Sequence, residues 1–453
     1  MGGRLAVSGV TLEARRGIIK MAELDEILKR YTDPATGPVH GATFVAVDSK
    51  GNDLYRSSFG SRKVDRSEPL TPDTLTWIAS QSKLVTSVAT MQLVEKGLVG
   101  LDDDVREIVP ALKDVKVLLG FEGENETADD LELLATLRAG GKVDFEKIKP
   151  RGEPIYEDVK GKITLRQLLS HTSGFCYDVG NPLILKWSAQ RGRKENMFSG
   201  TIEGSTHPLI FQPGTSWVYG PGLDWAGQVI EAVTKKDLET YMQENIWRPL
   251  QATRMTFHPT KHFSPNPMPP IHESAVRSGS SLATEPGTSP WPLEVRDAIG
   301  GAGLYGCASD YIKLLSCLLR GGAPLLLEKA SVDELFRPQI GEASTQAFRN
   351  HLLMGVGHRL FRQSGDEATK DELMPVGHSL VGQVNMLDVE GRRKKGSVSW
   401  GGLPNLAWLI DREGGVAATL FTQILPAGDM LCREMLVELE AALYRLKERK
   451  RQE

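Results

Sequence analysis

Ser80 and Lys83 are the residues whose types and spacing could do chemistry. They stand three apart in Ser80-Gln81-Ser82-Lys83, at the start of a long apolar stretch that ends near Gly97. A helix through this stretch would place Lys83 beside Ser80, because residues three apart share a helix face. A serine hydroxyl needs a base to become a nucleophile, and a lysine in a dry site can act as that base. The spacing favours nucleophilic catalysis, with a helix cap beside a solvated lysine as the alternative.

Two other side chains could take part in proton transfer. His171 follows a short helix that we predict within residues 162–175, and Tyr219 follows a Pro213-Gly214 turn and precedes another predicted helix. Each also has a structural interpretation. A histidine in this position can hold a turn through hydrogen bonds, and a tyrosine can be buried with one hydrogen bond. Both interpretations stay open on these residues alone.

The composition restricts the partners and the compartment that we expect. The 453 residues carry 54 Lys and Arg against 58 Asp and Glu, a net charge of −4, which predicts neither a nucleic-acid nor a membrane partner. No apolar run reaches the length of a membrane span, and the first 20 residues lack a secretory signal core. Four scattered cysteines favour a reduced, cytoplasmic protein. The sequence has no metal-binding or nucleotide-binding motif, so we expect no metal and no cofactor.

The order of the predicted elements indicates an α+β protein. Strands near both ends of the chain are expected to form one antiparallel sheet flanked by helices, with the middle of the chain inserted as a mainly helical domain. The elements expected at the two ends are a helix over 21–31, strands over 41–47 and 54–59, the helix that follows Ser80, strands over 377–389, 396–400, 406–410 and 416–422, and a helix over 430–446.

Domain boundaries follow from this order. Residues 1–20 are predicted to be a loose leader, residues 21–98 and 298–453 the sheet domain, and residues 99–297 the inserted helical domain. Inside the insertion, the charged stretch 118–160 is interpreted as a solvated excursion, with an acidic docking face as the alternative. Residues 260–295 are rich in Pro, Ser and Gly, which predicts a long loop.

Four motifs in this chain resemble those of a known family when they are taken in order. They are Ser80-Gln81-Ser82-Lys83, Leu169-Ser170-His171-Thr172-Ser173-Gly174, Pro213-Gly214 leading to Tyr219, and Trp400-Gly401-Gly402. Together they resemble the serine β-lactamase and penicillin-binding-protein superfamily. The phrase Leu223-Asp224-Trp225-Ala226-Gly227 and the pair Pro404-Asn405 resemble its class C-like esterase and transesterase branch, in particular the fungal lovastatin-type acyltransferases. This resemblance implies a β-lactamase-like fold.

The resemblance also implies a role for each site residue. Ser80 would be the acylated nucleophile, and Lys83 and Tyr219 would together form the base. The backbone N–H groups of Ser80 and Leu403 would form the oxyanion hole. Trp400, Gly401 and Gly402 would bind the substrate. No metal or other cofactor is implied.

Two departures from the family pattern bear on the substrate. Lactam-cleaving members carry Tyr-x-Asn and Lys-Thr-Gly, where this chain has Tyr219-Gly220-Pro221 and Trp400-Gly401-Gly402. The groups that would grip the amide and carboxylate of a penicillin are therefore missing, and we expect weak lactam turnover. The flat apolar wall that Trp400 offers suits a hydrophobic ester or thioester.

The favoured function is acyl transfer from an ester or thioester to a hydroxyl of a small secondary metabolite. A thioester carried by an acyl-carrier protein is one candidate donor. The first alternative is a carboxylesterase, which would use the same acyl-enzyme with water as the acceptor. A β-lactamase or peptidase and a non-catalytic binding protein are the remaining alternatives.

Overall fold

The computed structural model describes residues 12–123, 148–150, 152–278, 284–354 and 375–451. Strands and helices are numbered separately in chain order. The strands are β1 (Gly41–Asp48), β2 (Asp53–Gly60), β3 (Thr76–Trp77), β4 (Lys116–Phe121), β5 (Pro154–Asp158), β6 (Ala275–Arg277), β7 (Thr284–Pro286), β8 (Tyr305–Gly306), β9 (Val376–His378), β10 (Gln383–Asn385), β11 (Val398–Gly402), β12 (Leu406–Asp411), β13 (Val416–Phe421) and β14 (Ile424–Leu425).

Helices frame these strands, and most of the middle of the chain is helix and loop. The α-helices are α1 (Leu12–Thr32), α2 (Ser82–Glu95), α3 (Leu165–Leu169), α4 (Pro182–Gln190), α5 (Gly222–Thr234), α6 (Leu238–Met242), α7 (Pro259–Phe263), α8 (Ala308–Leu319), α9 (Lys329–Phe336), α10 (Glu342–Met354) and α11 (Met430–Arg451). Short 3-10 turns lie between them, and one of these, Ala79–Gln81, directly precedes α2.

One antiparallel sheet forms the centre of the fold. Its strands follow the order β2-β1-β13-β12-β11-β10-β9, and all neighbouring pairs are antiparallel. β1 and β2 come from the N-terminal part of the chain, and the other strands come from the C-terminal part. The predicted α+β fold, with a sheet built from both chain ends and flanked by helices, is confirmed.

Helices cover both faces of this sheet. Successive strand residues point to opposite faces, so Phe44 packs with Leu28 of α1 and Leu439 of α11, whereas Val45 packs with the core around α2 and α8. Since both faces are covered, β13 is buried along its whole length. β11 and β12 contact the 3-10 turn Ala79–Gln81, which contains Ser80 and leads into α2.

Several local predictions need correction. α1 begins at Leu12, so the predicted helix over 21–31 begins earlier than we expected. The loose leader over residues 1–20 stays a prediction, and residues 1–11 lie outside the described residues. The excursion 118–160 overlaps two paired antiparallel strands, β4 and β5, and the apolar side chains of Leu118 and Phe121 in β4 are buried. Residues 124–147 and 151 of that stretch lie outside the described residues.

Short elements also interrupt two further stretches that we expected to be uniform. The predicted loop 260–295 contains β6 and β7, and α7 extends into it. The predicted strand 377–389 is divided between β9 and β10 by a turn in which Ser379 bonds Gly382. The proposed boundary between a sheet domain and an inserted domain at residues 99–297 stays a prediction. Across the described ranges, no helix combines the length and the apolar character needed to span a membrane.

A buried cluster of three charges fastens α11 to the segment before β11. Glu440 is fully buried and pairs with Arg392 at 2.7 Å and with Arg393 at 2.6 Å. Arg393 also donates to Ser399 Oγ of β11 at 2.8 Å. Burial by itself would raise the pKa of Glu440, but the two guanidinium groups outweigh it and hold this pKa at about 2. The cluster therefore stabilises the position of β11.

We predict that Glu440→Ala lowers the free energy of unfolding by about 3–5 kcal/mol, because it leaves two buried guanidinium groups without their carboxylate. Urea denaturation measures this loss, and Glu434→Ala at an exposed position of the same helix serves as the control. The wild-type contribution should be complete above pH 4.5, the ordinary pKa of a glutamate, and decline as the pH falls towards 2. Equal unfolding energies for the two variants would contradict this assignment.

Candidate active site

The predicted nucleophile Ser80 lies in a strained turn at the start of α2. Ala79, which precedes it, has a φ of +48°, a left-handed conformation that is uncommon for residues other than glycine. The Ser82 hydroxyl holds the turn, since it donates to the Ala79 carbonyl at 2.6 Å and accepts from the Leu304 amide at 3.1 Å. The Ser80 side chain is half-buried at the edge of a cavity.

Lys83 lies beside Ser80, as their spacing predicted. Only 3% of Lys83 is exposed, and its Nζ donates to Ser80 Oγ at 3.2 Å, to the Tyr177 hydroxyl at 2.8 Å and to the Gly301 carbonyl at 2.7 Å. These acceptors satisfy the three donors of an ammonium. A neutral amine in the same place could keep two of these donations and accept the Ser80 proton with its lone pair. The geometry thus suits a lysine that exchanges a proton with Ser80.

Tyr177 occupies the position next to Lys83 in which we expected the hydroxyl of Tyr219. The Tyr219 hydroxyl instead accepts from Trp400 Nε1 at 3.1 Å. Tyr219 presents its ring to Lys83, with 4.8 Å from Nζ to the ring centroid, which is the distance of a cation–π contact. The structure therefore brings Ser80, Lys83 and Tyr177 together through hydrogen bonds and places Tyr219 against them through its ring.

Backbone hydrogen bonds bring the two tyrosines side by side. The Val218 amide donates to the His171 carbonyl at 3.0 Å, and the Tyr177 amide donates to the Tyr219 carbonyl at 3.3 Å. The two tyrosine rings consequently lie 5.4 Å apart, nearly perpendicular. Tyr177 was missed in the sequence because its only signal was its place just after the Ser-His-Thr-Ser-Gly motif, which ends at Gly174.

Burial strongly affects the acidity of groups around Lys83. The pKa of Tyr177 is raised well above its ordinary value by burial, and then by the negative charge of Asp224 and by Tyr219 and Asp178. The pKa of His171 is lowered well below its ordinary value by burial, with smaller effects from His378 and Lys83. Both groups are consequently uncharged at neutral pH in this structure.

His171, the other candidate base, packs against the site but forms no hydrogen bond with Ser80 or Lys83. Its ring lies 4.8 Å from that of Tyr219 and 5.4 Å from that of His378. Its backbone has a φ of +60°, and its carbonyl holds Val218. The structural interpretation therefore fits better, since His171 shapes the turn that carries Tyr219.

A cavity of about 280 Å³ opens beside Ser80. Its lining includes Tyr177, Tyr219 and Leu403. Ser80 and Leu403, which were predicted to supply the oxyanion-hole amides, therefore border the same cavity. The end of β11 approaches the Ser80 turn closely, because a Cβ on Gly402 would lie only 2.6 Å from the Ile78 carbonyl. The other predicted substrate-binding residues, Trp400 and Gly401, precede this contact on the same strand.

Part of the cavity lining is aromatic and apolar. Trp77 and Trp291 stack with their centroids 5.9 Å apart, and Phe198 and Met197 lie beside them. Trp77 is fixed by a hydrogen bond from its Nε1 to the Ala302 carbonyl at 2.7 Å. Because few polar groups face this side, the cavity suits a substrate with a flat, apolar body.

Comparisons with known proteins identify relatives of this chain. The family model described as Beta-lactamase matches residues 29–442. A relative named lovastatin esterase, from Penicillium rubens, is 34% identical over 423 residues, which cover 90% of this chain and 95% of that protein. Another, monacolin J acid methylbutanoyltransferase from Aspergillus terreus, is 31% identical, with coverage of 90% and 92%.

A similar solved structure shows that the likeness also holds in three dimensions. A simvastatin synthase mutant, LovD6 from Aspergillus terreus, superposes with a TM-score of 0.79 at 28% identity, and the match covers 98% of this chain and 99% of that one. The hydrolase EstCE1 has a TM-score of 0.67 at 18% identity, which supports the fold alone. With a family model that spans most of its length and relatives matched almost end to end, this chain belongs to the beta-lactamase family.

Proposed function

We propose that this protein is a serine acyltransferase that moves an acyl group from a thioester or ester to a hydroxyl of a small secondary-metabolite acceptor. The observation that carries the proposal is the hydrogen-bonded group of Ser80, Lys83 and Tyr177 beside an apolar cavity. Relatives named as a methylbutanoyltransferase and as an esterase support acyl chemistry at such a site.

Acylation would begin with a proton transfer from Ser80 Oγ to neutral Lys83. The oxygen then attacks the acyl carbonyl, and the backbone N–H groups of Ser80 and Leu403 stabilise the resulting oxyanion. When the tetrahedral intermediate collapses, the bond to the leaving sulfur or oxygen breaks, and that atom takes the proton from Lys83. The products of this step are acyl-Ser80 and the free thiol or alcohol.

The second half of the reaction repeats these steps in reverse order. Lys83 takes the proton of the acceptor hydroxyl, the acceptor oxygen attacks acyl-Ser80, and the proton returns to Ser80 Oγ as the new ester leaves. The hydroxyls of Tyr177 and Tyr219 are the proposed partners of Lys83 in these transfers. Tyr177 is favoured by its 2.8 Å contact with Nζ, and Tyr219 by the family resemblance.

A carboxylesterase is the second candidate function, because water can replace the alcohol in the second half-reaction without any change in the residues. The relative named lovastatin esterase favours this candidate. An apolar cavity wall that includes Trp77 and Trp291 favours an organic acceptor over water. Lactam hydrolysis has less support, since Trp400-Gly401-Gly402 replaces the Lys-Thr-Gly of lactam-cleaving members.

The donor and the compartment are further parts of the proposal. A thioester on an acyl-carrier protein is the proposed natural donor, because a thiolate is a better leaving group than an alkoxide. A cytoplasmic location is supported by the four cysteines, all of which are free thiols and buried.

Incubation with a short-chain acyl thioester should add one acyl mass to the wild-type protein and none to Ser80→Ala, as measured by intact-protein mass spectrometry. Addition of a panel of alcohols should discharge the adduct faster than water does, because the apolar cavity binds an organic acceptor. A wild-type adduct that every alcohol leaves unaffected would favour the esterase. Equal turnover by wild type and Ser80→Ala would exclude Ser80 as the nucleophile.

Tyr177→Phe should slow acylation about 100-fold, the lower range for loss of a proton-transfer group, because it removes the hydroxyl in contact with Lys83. The rate of adduct formation in rapid-quench experiments measures this effect, with Tyr219→Phe as the matched variant. A rate within twofold of wild type for Tyr177→Phe, together with an inactive Tyr219→Phe, would assign the role to Tyr219 instead.

A further inference from the structure

A buried carboxylate lies near Lys83 and does not line the cavity. Asp224, in the first turn of α5, is 3% exposed and is absent from the cavity lining. Its Oδ1 accepts from the Gly301 amide at 2.6 Å, and its Oδ2 accepts from the Ser205 hydroxyl at 3.1 Å. Both donors are neutral, so they satisfy hydrogen bonds of the carboxylate without balancing its charge.

Gly301 links this carboxylate to Lys83. Its amide donates to Asp224, and its carbonyl accepts from Lys83 Nζ at 2.7 Å. A Cβ on Gly301 would lie 2.3 Å from Asp224 Oδ1 and 3.3 Å from Lys83 Nζ. Both charged groups therefore converge on the same side of the glycine. Because both distances start from the same Cβ position, Asp224 Oδ1 and Lys83 Nζ lie within about 6 Å of each other. In this range an opposite charge favours the ionised form of its neighbour.

Other titratable groups also face this pair. Tyr177 and Tyr219 contact Lys83 on the cavity side, and His171 lies behind Tyr219. Asp178 acts on Tyr177 and accepts backbone hydrogen bonds from Val179 and Met197. None of these groups replaces Asp224, because burial keeps Tyr177 and His171 uncharged near neutral pH, and the charge that acts on Asp178 is that of Arg193 rather than Lys83.

The pKa of Asp224 reflects two opposing effects, namely the cost of burying its charge and the attraction of the Lys83 ammonium. Burial raises the pKa of Asp224 to about 6, and the Lys83 ammonium is the largest effect that opposes the rise, followed by the bonds from Gly301 and Ser205. At neutral pH the carboxylate is consequently ionised. Its negative charge then faces the one lysine that the proposed mechanism protonates.

We propose that Asp224 is a positioning residue that stabilises the protonated form of Lys83, both directly by its charge and through Gly301. The inference rests on the proposed function, in which Lys83 takes the proton of Ser80 and later returns it. Asp224 gains no proton in this cycle. It favours the transfer from Ser80 to Lys83, and it raises the pH above which Lys83 is free to act as a base.

Asp224→Asn tests this role, because its amide oxygen can still accept from Gly301 while the charge is removed. We would measure kcat/KM for a thioester as a function of pH. The acidic limb of this profile should move to lower pH by about one unit or more in Asp224→Asn. Ser205→Ala, which removes a neutral hydrogen bond and keeps the charge, should leave this limb within about 0.3 unit of wild type. A merely structural role for Asp224 would change the rate without moving the limb.

A second neutral variant, Asp224→Ser, guards against misfolding of the first, and thermal melts report which of them is folded. A shifted limb in every folded neutral variant supports the role, whereas an unshifted limb in any folded neutral variant overturns it. The acyl adduct on Ser80 is measured in the same samples. If wild type forms no adduct, the proposed function fails. An adduct with an unshifted limb removes Asp224 alone.

Discussion

A buried lysine amine is the constraint on which the rest of the site depends. Lys83 would lose most of its hydration at 3% exposure, and its hydrogen bonds to Ser80, Tyr177 and Gly301 compensate for this loss. Those three acceptors come from segments far apart in the sequence. Each segment must therefore be held to within a fraction of an ångström, and the scaffold can be understood as the means of holding them.

The central sheet and its helices supply this support at two levels. β11 brings Trp400 to the Tyr219 hydroxyl, and its Gly402 end meets the turn that carries Ser80. Behind the sheet, Glu440 and Arg393 fix β11 to α11 by a buried ion pair. The position of β11 consequently depends on one contact at the Ser80 turn and on one ion pair at α11.

Local sequence patterns predicted those features that depend on residues close together in the sequence. The three-residue spacing of Ser80 and Lys83 places them on one helix face, and short runs rich in apolar residues mark β1 and β13, so both could be predicted. The family resemblance added the order of the motifs and the fold. The start of α1 at Leu12 was not predicted, because it lies in a stretch without clear apolar periodicity.

The tertiary contacts around Lys83 could not be predicted in the same way. Nothing local distinguishes Tyr177 from Tyr219, and the choice between their hydroxyls depends on backbone bonds between two loops that join only in the fold. Asp224 was visible within a family-like phrase, but its relation to Lys83 runs through Gly301, which is 77 residues further along the chain. Such contacts follow from packing rather than from spacing.

The most direct test of the central claim is the rate at which a fluorophosphonate modifies Ser80. In that reaction Ser80 Oγ bonds to phosphorus, fluoride leaves, and the serine proton needs a base. We predict rapid labelling of wild type at Ser80, identified by peptide mass spectrometry. Lys83→Met with a wild-type circular dichroism spectrum should be labelled at least about 100-fold more slowly. Equally fast labelling of a folded Lys83→Met protein would contradict the proposal that Lys83 is the base.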